Sequence, residues 1–212
     1  MKIGQINIGS VAGDLITSIS KRDDISNIVE IGTWNGMGST LCVIKGIIES
    51  GKDKNFISIE LYEDMFKEAI TNLGDNIKYV KLMNGTIIST DDLNWFDHSI
   101  IFKIIGDGYD QMGISSEHSR LWYQKDIDNI RSAKNIINDL PDKIDFLILD
   151  GGEYSTYPEW NKLKDRTRIV ALDDSNIFKC SKIREEIISS GDYKVLYDNL
   201  YDRNGFSVFE KI

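Results

Sequence analysis

The chain of 212 residues is poor in cysteine (two), histidine (two) and positive charge, with 25 basic residues against 34 acidic ones. Cys42 and Cys180 have neither a zinc-ligand spacing nor the pattern of a secreted disulfide framework, and both fall in segments that read as helices. Reduced, buried thiols are expected. The formal charge of −9 argues against nucleic acid as a partner, because such affinity rests on neutralising phosphates with Lys and Arg. A local basic group at Lys162, Lys164, Arg166 and Arg168 reads either as a seat for one phosphate or as a solvated helix end and loop. No apolar run reaches the ~18 residues that span a bilayer, and the N-terminus leads into no stretch of signal-peptide length. A soluble, cytoplasmic protein without a membrane partner is expected. With 41% hydrophobic residues, the chain is long enough for one core and short for two, which suggests one domain over 1–212.

Strand-length apolar runs alternate with amphipathic, helix-length segments, the mark of a parallel sheet covered by helices. Strands are expected at 27–31, 55–60, 77–82, 144–150 and 168–173, with crossover helices at 40–49 and 63–73 and a further helix near 181–189. The runs at 146–149 and 169–172 are apolar on both faces, as central parallel strands require. Near the C-terminus, 193–197 and 206–210 flank Asp202, Arg203, Asn204 and Gly205. That Asn-Gly pair signals an antiparallel hairpin, since both residues tolerate positive φ. The expected fold is thus α/β: a doubly wound, Rossmann-like, mostly parallel seven-stranded sheet with a C-terminal antiparallel hairpin. Residues 91–142 exceed a plain crossover and read as a helical insertion, with one helix at 121–140. The insertion carries Trp95, Phe96, His98, Tyr109, His118 and Trp122, and it reads as a substrate lid or as a surface loop.

The segment Val29-Glu30-Ile31-Gly32-Thr33-Trp34-Asn35-Gly36-Met37-Gly38-Ser39 runs out of a strand, through glycines, into a helix. Glycines there let the backbone approach a ligand, and the helix start offers free N–H groups. The spacing is Gly-x-x-x-Gly-x-Gly rather than the dinucleotide Gly-x-Gly-x-x-Gly, so a nucleoside-like cofactor or a purely structural turn both remain open. Glu60 ends the next strand, where a doubly wound sheet places the acid that grips a ribose diol. An acidic residue opening the following helix is the alternative. Asp150, Asp173 and Asp174 follow two adjacent strands. With no Lys or Arg beside them in sequence, they would repel unless a cation or proton intervenes, and oxygen-only ligands suit Mg²⁺ or Mn²⁺. Helix capping is the competing reading.

The order of these motifs resembles that of class I S-adenosylmethionine-dependent methyltransferases, and most closely their metal-dependent, catechol-type and macrolide-sugar O-methyltransferases. The resemblance covers most of the chain outside 91–142. It implies that Glu30, Gly32 and Gly36 line the methionine side of the cofactor, that Thr33, Trp34 and Asp150 also contact the cofactor, and that Glu60 binds the ribose. Asn84, Gly85 and Thr86 would lie near the adenine, and Asp150, Asp173 and Asp174 would hold a divalent metal. The pattern departs from the catechol-type branch at Glu153, which stands where that branch carries a lysine base. The catalytic candidates are therefore Glu153, Asp150 and His118, with a surface position the alternative for His118 and for His98. The expected reaction is methyl transfer to an oxygen of a small molecule such as a sugar or nucleotide sugar. A nicotinamide-dependent oxidoreductase and a catalytically silent nucleoside-binding protein are the rivals, and assembly of identical copies is left open. The Asn/Asp-Pro-Pro-Tyr motif of amino-methylating nucleic-acid enzymes is absent.

Overall fold

The computed structural model describes residues 6–98 and 115–212. Seven strands form one sheet in the order β3-β2-β1-β4-β5-β7-β6. They are β1 (Asn27–Ile31), β2 (Asn55–Glu60), β3 (Lys81–Asn84), β4 (Ile144–Leu149), β5 (Thr167–Asp173), β6 (Tyr193–Asn199) and β7 (Phe206–Lys211). The first five are parallel, and β7 runs antiparallel between β5 and β6, so the expected sheet and C-terminal hairpin are both present.

Alternation within each strand feeds two cores. Val29, Ile57, Leu147 and Val170 point to one face, while Ile28, Phe56, Phe146 and Ile169 point to the other. All six residues of β4 are buried, which fits its place at the centre. Helix α1 (Val11–Lys21) precedes β1; the crossover helices are α2 (Ser39–Ser50), α3 (Glu63–Leu73), α5 (Thr156–Leu163) and α6 (Ser181–Ser190), with α4 (Ser116–Ser132) in the insertion. Sequence periodicity left α1 and α5 unassigned. Ser10 caps α1 by accepting the Gly13 N–H, and the helix buries Ile16 and Ile19.

Two boundaries differ from expectation. Residues 77–79 close a 3₁₀ turn (Gly74–Tyr79), so β3 begins later than the expected 77–82. The helix expected at 121–140 starts earlier and stops at Ser132, because Ala133 turns extended. The chain then pairs with Thr86, whose N–H donates to the Lys134 carbonyl while the Ile136 N–H donates back to Thr86. Ile136 is still buried, by a strand-like bridge instead of a helix. Of the insertion's aromatic residues, Tyr109 lies outside the described residues. Cys42 is buried within α2 as expected, whereas Cys180 is buried just before α6.

Register brings the chemistry to one edge. Ile31 pairs with Ile59 and Leu149, and Leu149 with Leu172. The residues that follow these strands therefore emerge together at the carboxyl end of the sheet, where open α/β sheets bind ligands.

Candidate functional site

Gly32 is the hinge of the site. Its N–H and that of Thr33 donate to the Ile59 carbonyl, and the Asp150 N–H donates to the Ile31 carbonyl. These bonds draw the β1 turn across the end of β4. Gly32 has φ of 97°, and a Cβ there would lie 2.1 Å from the Asp150 carbonyl oxygen. Only glycine fits both constraints. Gly36, with φ of 77°, lies against Ala69 and Leu73 of α3.

Beneath the turn, Glu30 is completely buried and accepts hydrogen bonds from the hydroxyls of Thr40 and Ser58. Burial pushes its carboxyl above the usual range. Glu30 therefore braces the loop from below.

The turn roofs a cavity of about 350 Å³, with Gly32, Thr33 and Trp34 in its wall. At one end stand Glu60, Tyr62, Gly85 and Gly152, together with Asp126 from the insertion helix α4 and Glu159 from α5. Glu60 accepts the Trp34 N–H at 2.7 Å and the Tyr62 N–H at 2.8 Å. Burial still raises its carboxyl to about 7. The Tyr62 hydroxyl donates to Asp126, whose buried carboxyl is pushed up to about 6. Burial, and then the charge of Asp126, lift Glu159 to about 8; its Oε2 has no hydrogen-bond partner.

At the other end are Asp150, Asp173, Asp174 and Arg203. One oxygen from each of the three carboxylates lies within 4.8 Å of the other two. The reading that no Lys or Arg stands beside these acids is corrected by the structure. Lys179, only 5% exposed, places Nζ 2.8 Å from Asp150 Oδ1, 2.7 Å from Asp174 Oδ2 and 3.8 Å from Asp173 Oδ2. Arg203, carried in by the β6–β7 hairpin, lies 3.0 Å from Asp173 Oδ2. Burial pulls the Lys179 ammonium towards deprotonation, but the three carboxylates outweigh it and hold the proton well above the ordinary lysine range. Burial also raises Asp173, to about 6, with the charge of Asp150 adding to the shift.

The expected site residues divide sharply. Gly32, Thr33, Trp34, Glu60, Gly85, Asp150, Asp173 and Asp174 all meet at the cavity, whereas Glu30, Gly36, Asn84 and Thr86 are not in its wall. Asn84 instead donates to the Glu60 and Leu61 carbonyls, and Thr86 ties down the loop through Ile88. Glu153 sits in the loop before α5 and His118 is exposed on α4 beside Ser115; neither reaches the cavity wall. His98 packs on Phe96 and meets the Tyr123 hydroxyl at 3.0 Å. Each residue of the basic group has a partner within the chain: Lys162 pairs with Asp92 and Arg168 with Asp24, Lys164 bonds Asn161, and Arg166 bonds the Pro141 carbonyl.

Sequence reasoning missed Tyr62, Asp126, Glu159, Lys179 and Arg203. The last two carried one usable signal, since each follows a predicted strand on the ligand edge by only a few residues.

No protein-family model matches the chain, and no curated protein is similar to it in sequence. Solved structures are similar in fold. An O-methyltransferase from Bacillus cereus, in complex with S-adenosylhomocysteine, superposes with a TM-score of 0.59 over 99% of this chain and 84% of its own, at 14% identity. The O-methyltransferase TomG from Streptomyces achromogenes, involved in tomaymycin synthesis and solved with S-adenosylmethionine, gives 0.55 over 94% and 78%, at 12% identity. An S-adenosylhomocysteine-bound methyltransferase from Podospora anserina gives 0.57 over 94% and 77%, at 11% identity. The chain has the fold of the class I O-methyltransferases.

Proposed function

We propose that this protein is an S-adenosylmethionine-dependent methyltransferase, one domain over 1–212, acting on an oxygen of a small hydroxylated molecule such as a sugar or nucleotide sugar. The observation that carries the reading is Glu60. It closes β2 inside the cavity, with its carboxylate fixed by two backbone N–H groups and with lone pairs left over for a vicinal diol. S-adenosylmethionine supplies an electrophilic methyl group on its sulfonium. The chain's own work is positioning: the Gly32 turn admits the backbone close to the ligand, Glu60 holds the ribose, and Gly85 and Gly152 leave room for a flat base.

At the adenine end, Glu159 and Asp126 offer carboxyl oxygens to an exocyclic amino group. Of the three catalytic candidates, Asp150 is the one in the cavity wall. An acceptor hydroxyl would meet it beside Asp173 and Asp174. No helix of the described residues is long and apolar enough to cross a membrane, which suits a small-molecule enzyme of the cytoplasm.

The test is calorimetry of S-adenosylhomocysteine and NAD side by side. S-adenosylhomocysteine should bind one per chain and NAD should not. Preference for NAD would favour an oxidoreductase, and binding of neither would remove the nucleoside site. Screening hydroxylated acceptors with labelled S-adenosylmethionine then separates an enzyme from a silent binding protein.

A further inference from the structure

The acids at the end of β4 and β5 have the donor chemistry of a hard-metal site: three carboxylates, oxygen only. The residues around them do not fit such an ion. Lys179 engages Asp150 Oδ1 and Asp174 Oδ2, Arg203 engages Asp173 Oδ2, and Asn204 donates to Asp174 Oδ1 at 3.1 Å. Both oxygens of Asp174 and one of each other aspartate are thereby taken. An ion that demands near-octahedral oxygen coordination at ~2.1 Å would find few donors left, with an ammonium and a guanidinium on the same oxygens.

The lysine is built into the fold. Its neighbour Phe178 stacks on Trp95 at 5.0 Å with an interplanar angle of 10°, and Cys180 on the other side is buried in the core. The loop is tied further by the Ser175 N–H to the Gly205 carbonyl and the Asn176 N–H to the Asn204 carbonyl. Those bonds also hold the hairpin turn that delivers Arg203. The same contacts thus fix both cations against the carboxylates.

We propose that Lys179 is the resident cation of this cluster, doing within the chain what a divalent metal does in the resembling enzymes, so that the site holds Asp150, Asp173 and Asp174 in place without a metal. Under the methyl-transfer reading, on which only this last step rests, Lys179 is a positioning residue. It fixes the carboxylates that an acceptor hydroxyl would meet.

The experiment is a Mn²⁺ titration of the full chain followed by electron paramagnetic resonance of the free ion. Wild type should leave Mn²⁺ free. Lys179→Met, which keeps an apolar stem and removes the charge, should create one Mn²⁺ site per chain, tighter than any in wild type by roughly tenfold or more. Asp173→Asn in that background should abolish it. Lys179→Arg, which retains a cation, should gain nothing.

Stoichiometric Mn²⁺ binding by wild type that Asp150→Asn removes would overturn the proposal, and this arm needs no variant at Lys179 to fold. A folded Lys179→Met that binds no Mn²⁺ would overturn it too, because the cluster would then have no latent metal site for lysine to replace. Calorimetry with S-adenosylhomocysteine on the same samples reports the methyltransferase reading separately: its failure leaves the Mn²⁺ result standing, and the reverse holds.

Discussion

The two ends of one cavity carry three acids each and neutralise them by different means. Asp150, Asp173 and Asp174 sit against Lys179 and Arg203, whereas Glu60, Asp126 and Glu159 are met by backbone N–H groups and hydroxyls from Tyr62 and Ser155. Burial acts at both ends: it raises Asp173 to about 6 even beside Lys179 and Arg203, and it raises all three acids at the second end. Glu60, Asp126 and Glu159 are raised to about 7, 6 and 8. Each end is thereby fitted to a different task. A cluster matched by fixed cations has its carboxylates held in place by ion pairs. A cluster held by protons changes charge close to neutrality, and it can donate as well as accept hydrogen bonds.

Gly32 lies in the cavity wall beside both acid clusters, so its replacement should have the largest effect. A Cβ 2.1 Å from the Asp150 carbonyl oxygen cannot be relieved by rotating a side chain, and φ of 97° strains any L-residue. Gly32→Ala should destabilise the fold on the order of 4 kcal/mol or more, read as a lower urea midpoint at unchanged slope. A loss under about 1 kcal/mol would mean that the turn after β1 does not press on the Asp150 carbonyl as described.

Next in size is Glu60→Ala, which tests the proton-held end as a ligand site. It should weaken S-adenosylhomocysteine by about 1.5 to 3 kcal/mol, the scale of hydrogen bonds to a charged group, and it also frees the N–H groups of Trp34 and Tyr62. Unchanged affinity in a folded variant would take Glu60 out of the site.

These two residues were legible in the sequence because local rules govern them. A glycine between a strand and a helix, and an acid ending the next strand, follow from backbone geometry and sheet topology within a short window. The sheet was legible for the same reason, including the C-terminal hairpin, although positive φ falls at Arg203 and Gly205 rather than at Asn204. Lys179 and Arg203 were not, since their role depends on how a loop and a hairpin turn fold back over Asp173 and Asp174. Asp126 depends on helix α4 reaching the cavity across the insertion. Glu30 shows the opposite failure: the motif singled it out for the cofactor, but its carboxyl lies beneath the turn, bonded to Thr40 and Ser58. The expected helix ran past the end of α4 because Ala133 and Ile137 continue the apolar spacing of Ile127 and Ile130 while the backbone pairs with Thr86.

Glu159→Gln should sharpen the comparison through pH. In the fold Glu159 keeps its proton to about 8, against 4.5 for an ordinary glutamate. Its contribution to stability is therefore complete below pH 4.5 and is lost as pH rises through about 8. The amide copies the neutral carboxyl, so the variant should lose less stability than wild type between those limits, with the gap widest at the alkaline end. Parallel stability curves across that window would mean that Glu159 is ionised in the fold throughout.

The smallest effect is expected from Tyr62→Phe, and its sign separates hydrogen bonding from packing. The ring, and the Lys125 ammonium 4.2 Å above its centroid, survive the change; only the hydroxyl that donates to Asp126 is lost. That hydroxyl favours the ionised carboxylate and holds Asp126 below where burial alone would put it. Its removal should cost about 1 kcal/mol where Asp126 is charged and less where it is protonated. Urea unfolding at pH 8 and at pH 5 brackets the wild-type value of about 6. The loss should be larger at pH 8, and the titration of Asp126, followed by the carboxyl carbon resonance, should move upward. An equal loss at both values would assign the effect to packing of the phenol, and would mean that the insertion helix meets the cavity through shape rather than through the Tyr62–Asp126 bond.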